Sequence, residues 1–292
     1  MMNLRKITIL AALCGALVLP DVALAQARYQ VGVCDWMVLK RQKIGEFSLA
    51  KELGCDGLEM DMGGLGKRDS FDNKMRQPEM ARRFRHIADS LGVKVGAVAM
   101  SGFYGQSFAH KASWRWLIED CLNTMDVMDA KVAFLPLGGC GKNWTDSLPL
   151  RREVVARLHE AGEMARARGK VIGIDTPLDA KGNKRLLKEI DSEGIKIFYK
   201  FQTAAENGRN IPQELKRLGA KNVCAIHASN TDGVWLRNDK AINMTDVKKT
   251  LDRMKWSGWL FVERSRDVKD VRNVKKNYGE NVKYLKEVFR GE

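Results

Sequence analysis

Proline, histidine, long apolar runs and nucleotide-binding glycine turns are all scarce in this chain, and each scarcity removes a class of protein. Six prolines are scattered through 292 residues, so no proline-rich linker divides the chain and one large domain is expected. Four histidines are too few for a cluster that holds several zinc ions. Beyond residue 25 no apolar run reaches the roughly 20 residues of a membrane span. No C-x-x-C pair occurs among the cysteines. No early turn carries G-x-G-x-x-G, which argues against an open dinucleotide-binding sheet. GGLGKR at 63–68 and GGCGK at 138–142 lack the Walker spacing with Ser or Thr after the lysine, so they read as rim loops rather than phosphate cradles. A basic arm and aromatic–basic alternation are also missing. The formal charge of +14 therefore reads as solvated helix faces, and no nucleic-acid partner is expected.

The first 25 residues have the pattern of a removable leader. Arg5 and Lys6 precede a short apolar stretch, 7–20, and Ala23 and Ala25 form a small-x-small cleavage pattern. A signal peptide over 1–25 is expected, with cleavage after Ala25, a mature domain over 26–292, and a periplasmic or secreted protein with no membrane attachment after cleavage. Export would bring the protein to free sugars, glycosides and oligosaccharide fragments rather than phosphorylated metabolites. Five cysteines follow the leader, Cys34, Cys55, Cys121, Cys140 and Cys224. An odd number leaves at least one unpaired, and small buried thiols are the expectation.

What the chain has in abundance is a rhythm. Apolar, β-branched runs at 29–35, 57–62, 93–100, 131–137, 170–176, 195–202, 222–228 and 259–263 alternate with segments of helical period. The helical segments fall at 47–53, 78–91, 114–128, 150–168, 184–192, 211–218, 245–254 and 268–289. Gly54, Gly92, Gly169, Gly194 and Gly219 follow helix ends, where a left-handed cap is expected. Strands with near-continuous apolar character are parallel strands buried on both faces. Eight such units predict a closed (β/α)8 TIM barrel, whose chemistry lies at the carboxyl ends of its strands.

Four consecutive strands end on polar residues: Asp175, Lys200, His227 and Glu263. Two carboxylates and an imidazole look like a divalent-metal site, and the lysine among them does not fit one. Glu59 and Asp61, two apart on the second strand, face one side, with Asp61 nearer the mouth and Glu59 deeper. Trp36, Phe103, Tyr104, Trp144 and Trp235 follow strand ends, where an aromatic face could stack on a sugar ring. His110 lies in the loop after the third strand. Trp36, Glu59, Asp61, Phe103, His110, Trp144 and Trp235 are thus candidate substrate contacts.

The stretches VIGIDTPLDAKGN, IKIFYKFQTAAENGRNI, VCAIHASNTDG and GWLFVERS resemble the xylose isomerase-like TIM-barrel family of sugar isomerases and epimerases, over nearly all of the mature chain. The resemblance implies a divalent cation, such as Mn²⁺ or Mg²⁺, held by Glu, Asp, His and Glu on strands five to eight, with the two glutamates moving protons on either face of a sugar carbon. His227 and Glu263 match that pattern. Asp175 stands where the family has Glu, one methylene shorter, and Lys200 stands where it has Asp. A protonated amine cannot ligate a cation and repels it, whereas buried carboxylates left without a cation are costly. No metal is therefore expected, with Lys200 supplying its positive charge. The alternative is a Mn, Mg or Zn ion held by Asp175, His227 and Glu263. The expected function is an isomerase- or epimerase-like enzyme that abstracts a proton beside a sugar carbonyl, in epimerisation, isomerisation or β-elimination. Asp175, Lys200, His227 and Glu263 would be its catalytic residues and an unphosphorylated carbohydrate its substrate. A Schiff base through Lys200 is a variant of this chemistry. The other reading is a sugar-binding relative without catalysis. Apurinic endonucleases share the barrel, but the shortage of histidines excludes their multi-zinc chemistry.

Overall fold

The computed structural model describes residues 28–141 and 143–292; the expected leader, 1–25, lies outside the described residues. Eight strands form it: β1 (Tyr29–Cys34), β2 (Gly57–Asp61), β3 (Lys94–Ala99), β4 (Val132–Pro136), β5 (Val171–Asp175), β6 (Ile195–Lys200), β7 (Val223–Asn230) and β8 (Gly258–Arg264). All pair in parallel in chain order, and β8 closes on β1 with Tyr29 opposite Gly258 and Val33 opposite Val262. Around this barrel run α1 (Glu46–Glu52), α2 (Pro78–Leu91), α3 (Trp114–Met128), α4 (Leu148–Ala167), α5 (Ala180–Ile190), α6 (Phe201–Glu206), α7 (Ile211–Leu218), α8 (Met244–Arg253) and α9 (Val274–Arg290).

The apolar runs of the strands are continuous because both faces are covered. Val31, Val33, Leu58, Met60, Ile172, Ile174, Ile226 and Leu260 face the helices in the larger core. Cys34, Ala97, Ala99, Phe134, Phe198, Ala225 and Phe261 fill the lumen. Side chains two apart on a strand share a face, so the lumen row of β8 is Trp259, Phe261, Glu263, with the charge at the carboxyl end. Trp259 and Phe261 stack at 5.3 Å and 6°. The lumen is therefore a packed aromatic core at its floor and becomes polar towards its mouth.

Most elements fall where periodicity places them, and the departures have local causes. β6 stops at Lys200 and turns directly into α6, where extended structure through Gln202 is expected. No glycine or proline marks that junction, so the sequence carries no break signal. α5 begins at Ala180 rather than 184 because the Asp179 side chain caps it, accepting from the Gly182 N–H at 2.7 Å. Gly54, Gly92 and Gly169 take positive φ after their helices as expected; Gly219 also has positive φ (82°) but an extended ψ of 149°, so it is not a left-handed cap, and Gly194 has no positive φ. α5 ends earlier, on Asp191 in the left-handed region (φ 51°). Gly194 is needed instead for close approach, since a Cβ there would run into the Gly162 carbonyl. All five described cysteines are free thiols, four of them buried.

Candidate functional site

The barrel brings the four predicted strand-end residues together at one mouth. Lys200 ends β6 and Glu263 stands one residue before the end of β8. Lys200 Nζ lies 2.7 Å from Glu263 Oε2, with the two side chains 9% and 2% exposed. Asp175, at the end of β5, lies within electrostatic reach of Lys200, Glu263 and His227. His227 projects from the middle of β7, a level lower, and its Nδ1 is 3.8 Å from Glu263 Oε2. Its ring sits among Phe134, Phe198 and Trp36, with centroids at 4.6, 4.4 and 6.4 Å.

The charges tune one another. Burial works against ionisation of Glu263, but His227 and Lys200 outweigh it and hold the carboxyl below the usual range. Burial disfavours the Lys200 ammonium, yet Glu263 and Asp175 more than compensate and raise it above the ordinary lysine value. That shift favours the charged form, which suits a cation and works against a Schiff-base nucleophile. Asp175 is raised by burial, which the attraction of Lys200 only partly offsets. Two carboxyls in one mouth are thus pushed apart: Glu263 towards the anion, Asp175 towards the acid.

Tyr104, in the loop after β3, joins the Lys200–Glu263 pair. Its hydroxyl accepts from Lys200 Nζ at 3.3 Å and donates to Glu263 Oε1 at 3.4 Å. Lys200 Nζ also lies 5.4 Å from its ring centre. The residue as a whole is exposed at the rim, but its hydroxyl points inward, where desolvation and then the charges of Glu263 and Asp175 push the phenol up, so it remains a donor. An aromatic in a post-strand loop was the available signal, but nothing in the sequence distinguishes its hydroxyl from the other rim rings.

The remaining candidates divide. Trp36 is half-buried and edge-on to His227, at the mouth. Glu59 lies deeper, as its spacing implies; it is fully buried and bonded to His227 Nε2 at 2.7 Å, which supports the imidazole from below the mouth. Asp61 is also fully buried, paired with Arg41 at 3.1 Å and accepting from the Gly63 N–H. Phe103 and Trp144 are corrections. Both rings are packed in the main core, Phe103 between the loop residues Phe71 and Phe108, rather than at the mouth. Trp235 is turned to α9, its indole N–H donating to Asn277 Oδ1 at 2.8 Å. His110 is exposed, its backbone closing a turn on Ser107; among the described residues no contact ties its ring to the mouth.

Below the mouth lies a trio that sequence reading passed over. Cys34 Sγ, on β1, donates to Glu59 Oε2 at 3.2 Å and lies 3.8 Å from His227 Nε2. Among the described residues, Cys34, Glu59 and His227 are the group of His, Cys, Asp and Glu donors close enough together for one ion. The strand-end set does not fit a cation. The Glu263 oxygen that would face an ion already faces the Lys200 ammonium, and the fourth position carries positive charge where a ligand oxygen belongs. Backbone strain marks the same place: Arg264 and Ser265, directly after Glu263, both have left-handed φ, 54° and 61°, a conformation retained at functional turns when the surroundings enforce it. Here Asn281 Nδ2 donates to the Ser265 carbonyl, and Ser265 Oγ accepts from the Asn230 N–H.

A roomier cleft of about 480 Å³ opens at the opposite end of the barrel, around Lys94, Lys131 and Trp259. The interacting titratable groups converge at the mouth, the end at which barrels of this kind carry their chemistry.

The profile of the family described as xylose isomerase-like TIM barrel matches residues 47–288. A comparison with curated proteins gives no match. Among solved structures, an L-ribulose 3-epimerase superposes with a TM-score of 0.70 at 12% identity, covering 90% of this chain and 95% of that one. A D-psicose 3-epimerase determined in the presence of D-fructose gives 0.68 at 12% identity, covering 90% and 100%. A 3-keto-D-glucoside 4-epimerase from E. coli gives 0.68 at 16% identity, covering 89% and 99%. At these identities the likeness establishes the fold.

Proposed function

The chain belongs to the xylose isomerase-like TIM barrel family, and from that premise we propose that it is a sugar isomerase- or epimerase-like enzyme in which the Lys200 ammonium takes the electrostatic place of a metal ion. The observation that carries the proposal is the 2.7 Å pair of Lys200 Nζ and Glu263 Oε2 in the barrel mouth. The solved neighbours support the substrate class, since their names are those of sugar 3- and 4-epimerases.

Glu263, held low in pKa, is the base that removes a proton from the carbon beside a sugar carbonyl. The Lys200 ammonium and the Tyr104 hydroxyl face the oxygen on which negative charge develops, in a site that excludes most water. Asp175, raised by burial, is the acid that returns a proton, to the opposite face in epimerisation or to the neighbouring carbon in isomerisation. β-Elimination from a keto-glycoside shares the first step. Trp36 offers a ring to the apolar face of the sugar. The leader pattern at 1–25 supports export, and hence an unphosphorylated substrate. Replacing Lys200 by Met, which keeps bulk and removes charge, abolishes turnover in a screen of plain and oxidised sugars; activity like that of the wild type rejects the proposal.

A further inference from the structure

We propose that Cys34, Glu59 and His227 form an inner site for one thiophilic divalent cation, of the zinc or cobalt class, beneath the mouth that Lys200 occupies. The proposal rests on the reading of Lys200 only in leaving the strand-end position to the ammonium.

The donors come from three strands, β1, β2 and β7, and all three residues are fully buried. A tetrahedral zinc with bonds of about 2.3 Å to sulfur and about 2.0–2.1 Å to nitrogen or oxygen holds its sulfur about 3.6 Å from each lighter donor and those two about 3.3 Å apart. The structure has Cys34 Sγ at 3.2 Å from Glu59 Oε2 and 3.8 Å from His227 Nε2, which bracket the required value. The third separation, 2.7 Å between Nε2 and Oε2, is a hydrogen bond. It opens by roughly 0.6 Å when the ion replaces the shared proton.

Charge and hydrogen bonding agree with an ion there. Thiolate, carboxylate and neutral imidazole sum to minus two, which a divalent cation neutralises without involving the Lys200–Glu263 pair. Starting from the Cys34 thiol, the Glu59 carboxylate and a His227 imidazolium, one cation enters and two protons leave, from Sγ and from Nε2, while Nδ1 keeps its hydrogen. Glu59 Oε1 and His227 Nδ1 are buried and make no hydrogen bond among the described residues. With the ion on Nε2, Nδ1 carries the imidazole hydrogen, and it faces Glu263 Oε2 at 3.8 Å. That separation is too long for a hydrogen bond; closing it by roughly 0.8 Å would give the carboxylate–histidine–metal arrangement that orients a ligating imidazole. The inner ion would thus fix the imidazole under the catalytic carboxylate. Ligand softness sets the class: sulfur and imidazole favour zinc and cobalt over magnesium.

The test refolds the full chain with cobalt(II) and removes excess ion by gel filtration. One retained cobalt per chain with a sulfur-to-cobalt charge-transfer band in the near ultraviolet is expected. The band is lost in Cys34→Ala and kept in Lys200→Met and Asp175→Asn. Should Cys34→Ala fail to fold, zinc-edge absorption on the wild type decides, with one sulfur at about 2.3 Å expected. No retained ion overturns this inference and leaves the reading of Lys200 standing. A retained ion with only oxygen and nitrogen neighbours, lost in Asp175→Asn, lies in the mouth and overturns both.

Discussion

At the scale of single residues, the proposed function turns on three groups within hydrogen-bonding distance of one another. Lys200, Glu263 and Tyr104 form a triangle of 2.7, 3.3 and 3.4 Å. Removing the base by Glu263→Gln keeps the shape and should lower turnover by about 10²–10⁴-fold, the usual worth of positioned proton transfer. Circular dichroism should show the fold intact, and a loss below tenfold would move the base elsewhere. Tyr104→Phe keeps the ring over Lys200 and removes only the hydroxyl. A fall in kcat with little change in KM would place that hydroxyl on the developing charge, whereas a change in KM alone would make it a binding contact. The strand-end quartet was legible because polar residues stand out at the ends of apolar runs. Cys34 was not, because a cysteine in an apolar strand reads as a small hydrophobe until its inward face is known. Phe103 and Trp144 misled for the converse reason: a loop aromatic can fold inward as readily as outward, and composition does not say which.

At the scale of elements, the strands hold the mouth rigid by packing beneath it. Trp259 closes the floor of the lumen and lies against the backbone at Gly57 and Gly96, where a Cβ would run into its ring. Gly96→Ala should therefore destabilise by about 1–3 kcal/mol, as overpacking does. A lower Tm is expected, partly restored when Trp259→Phe makes room; an unchanged Tm would mean that the floor is not packed as described. The eight strands and most helices were readable from period and caps. The β6–α6 junction was not, because chain direction there changes without a breaker residue and is set by tertiary contacts, among them the Gln202 N–H donating to Ser229 Oγ at 3.4 Å.

At the scale of the molecule, a second cluster of buried charge makes stability depend on pH. Asp35, behind β1, is pushed up to about 8 by burial and by the charge of Asp61. Asp61 is pushed up to about 6 by burial, against the pull of Arg41. Glu46, facing Asp35, is raised well above its usual value by burial and by the Asp35 charge. A carboxyl raised in the folded state binds more protons there than in the unfolded chain. Its contribution is then complete below about pH 4 and is lost as pH rises towards 8. Carboxylates held low by cations, such as Asp56 beside Arg290, have the opposite sign but act only as pH falls below about 4. Denaturant midpoints should therefore decline from about pH 5 to pH 8. Asp35→Asn, which retains an acceptor for the Gln42 N–H, should flatten that decline and be the more stable protein at pH 8; a stability that rises over this range would contradict the cluster as described.

The central claim is that the strand-end quartet abstracts a proton beside a sugar carbonyl with Lys200 as its resident cation. Exchange in deuterated water, followed by proton NMR on a panel of ketoses and keto-glycosides, measures that step directly, even where no net product accumulates. The account predicts deuterium at the carbon beside the carbonyl with the wild type and none above background with Lys200→Met. Equal exchange by the two proteins would contradict it.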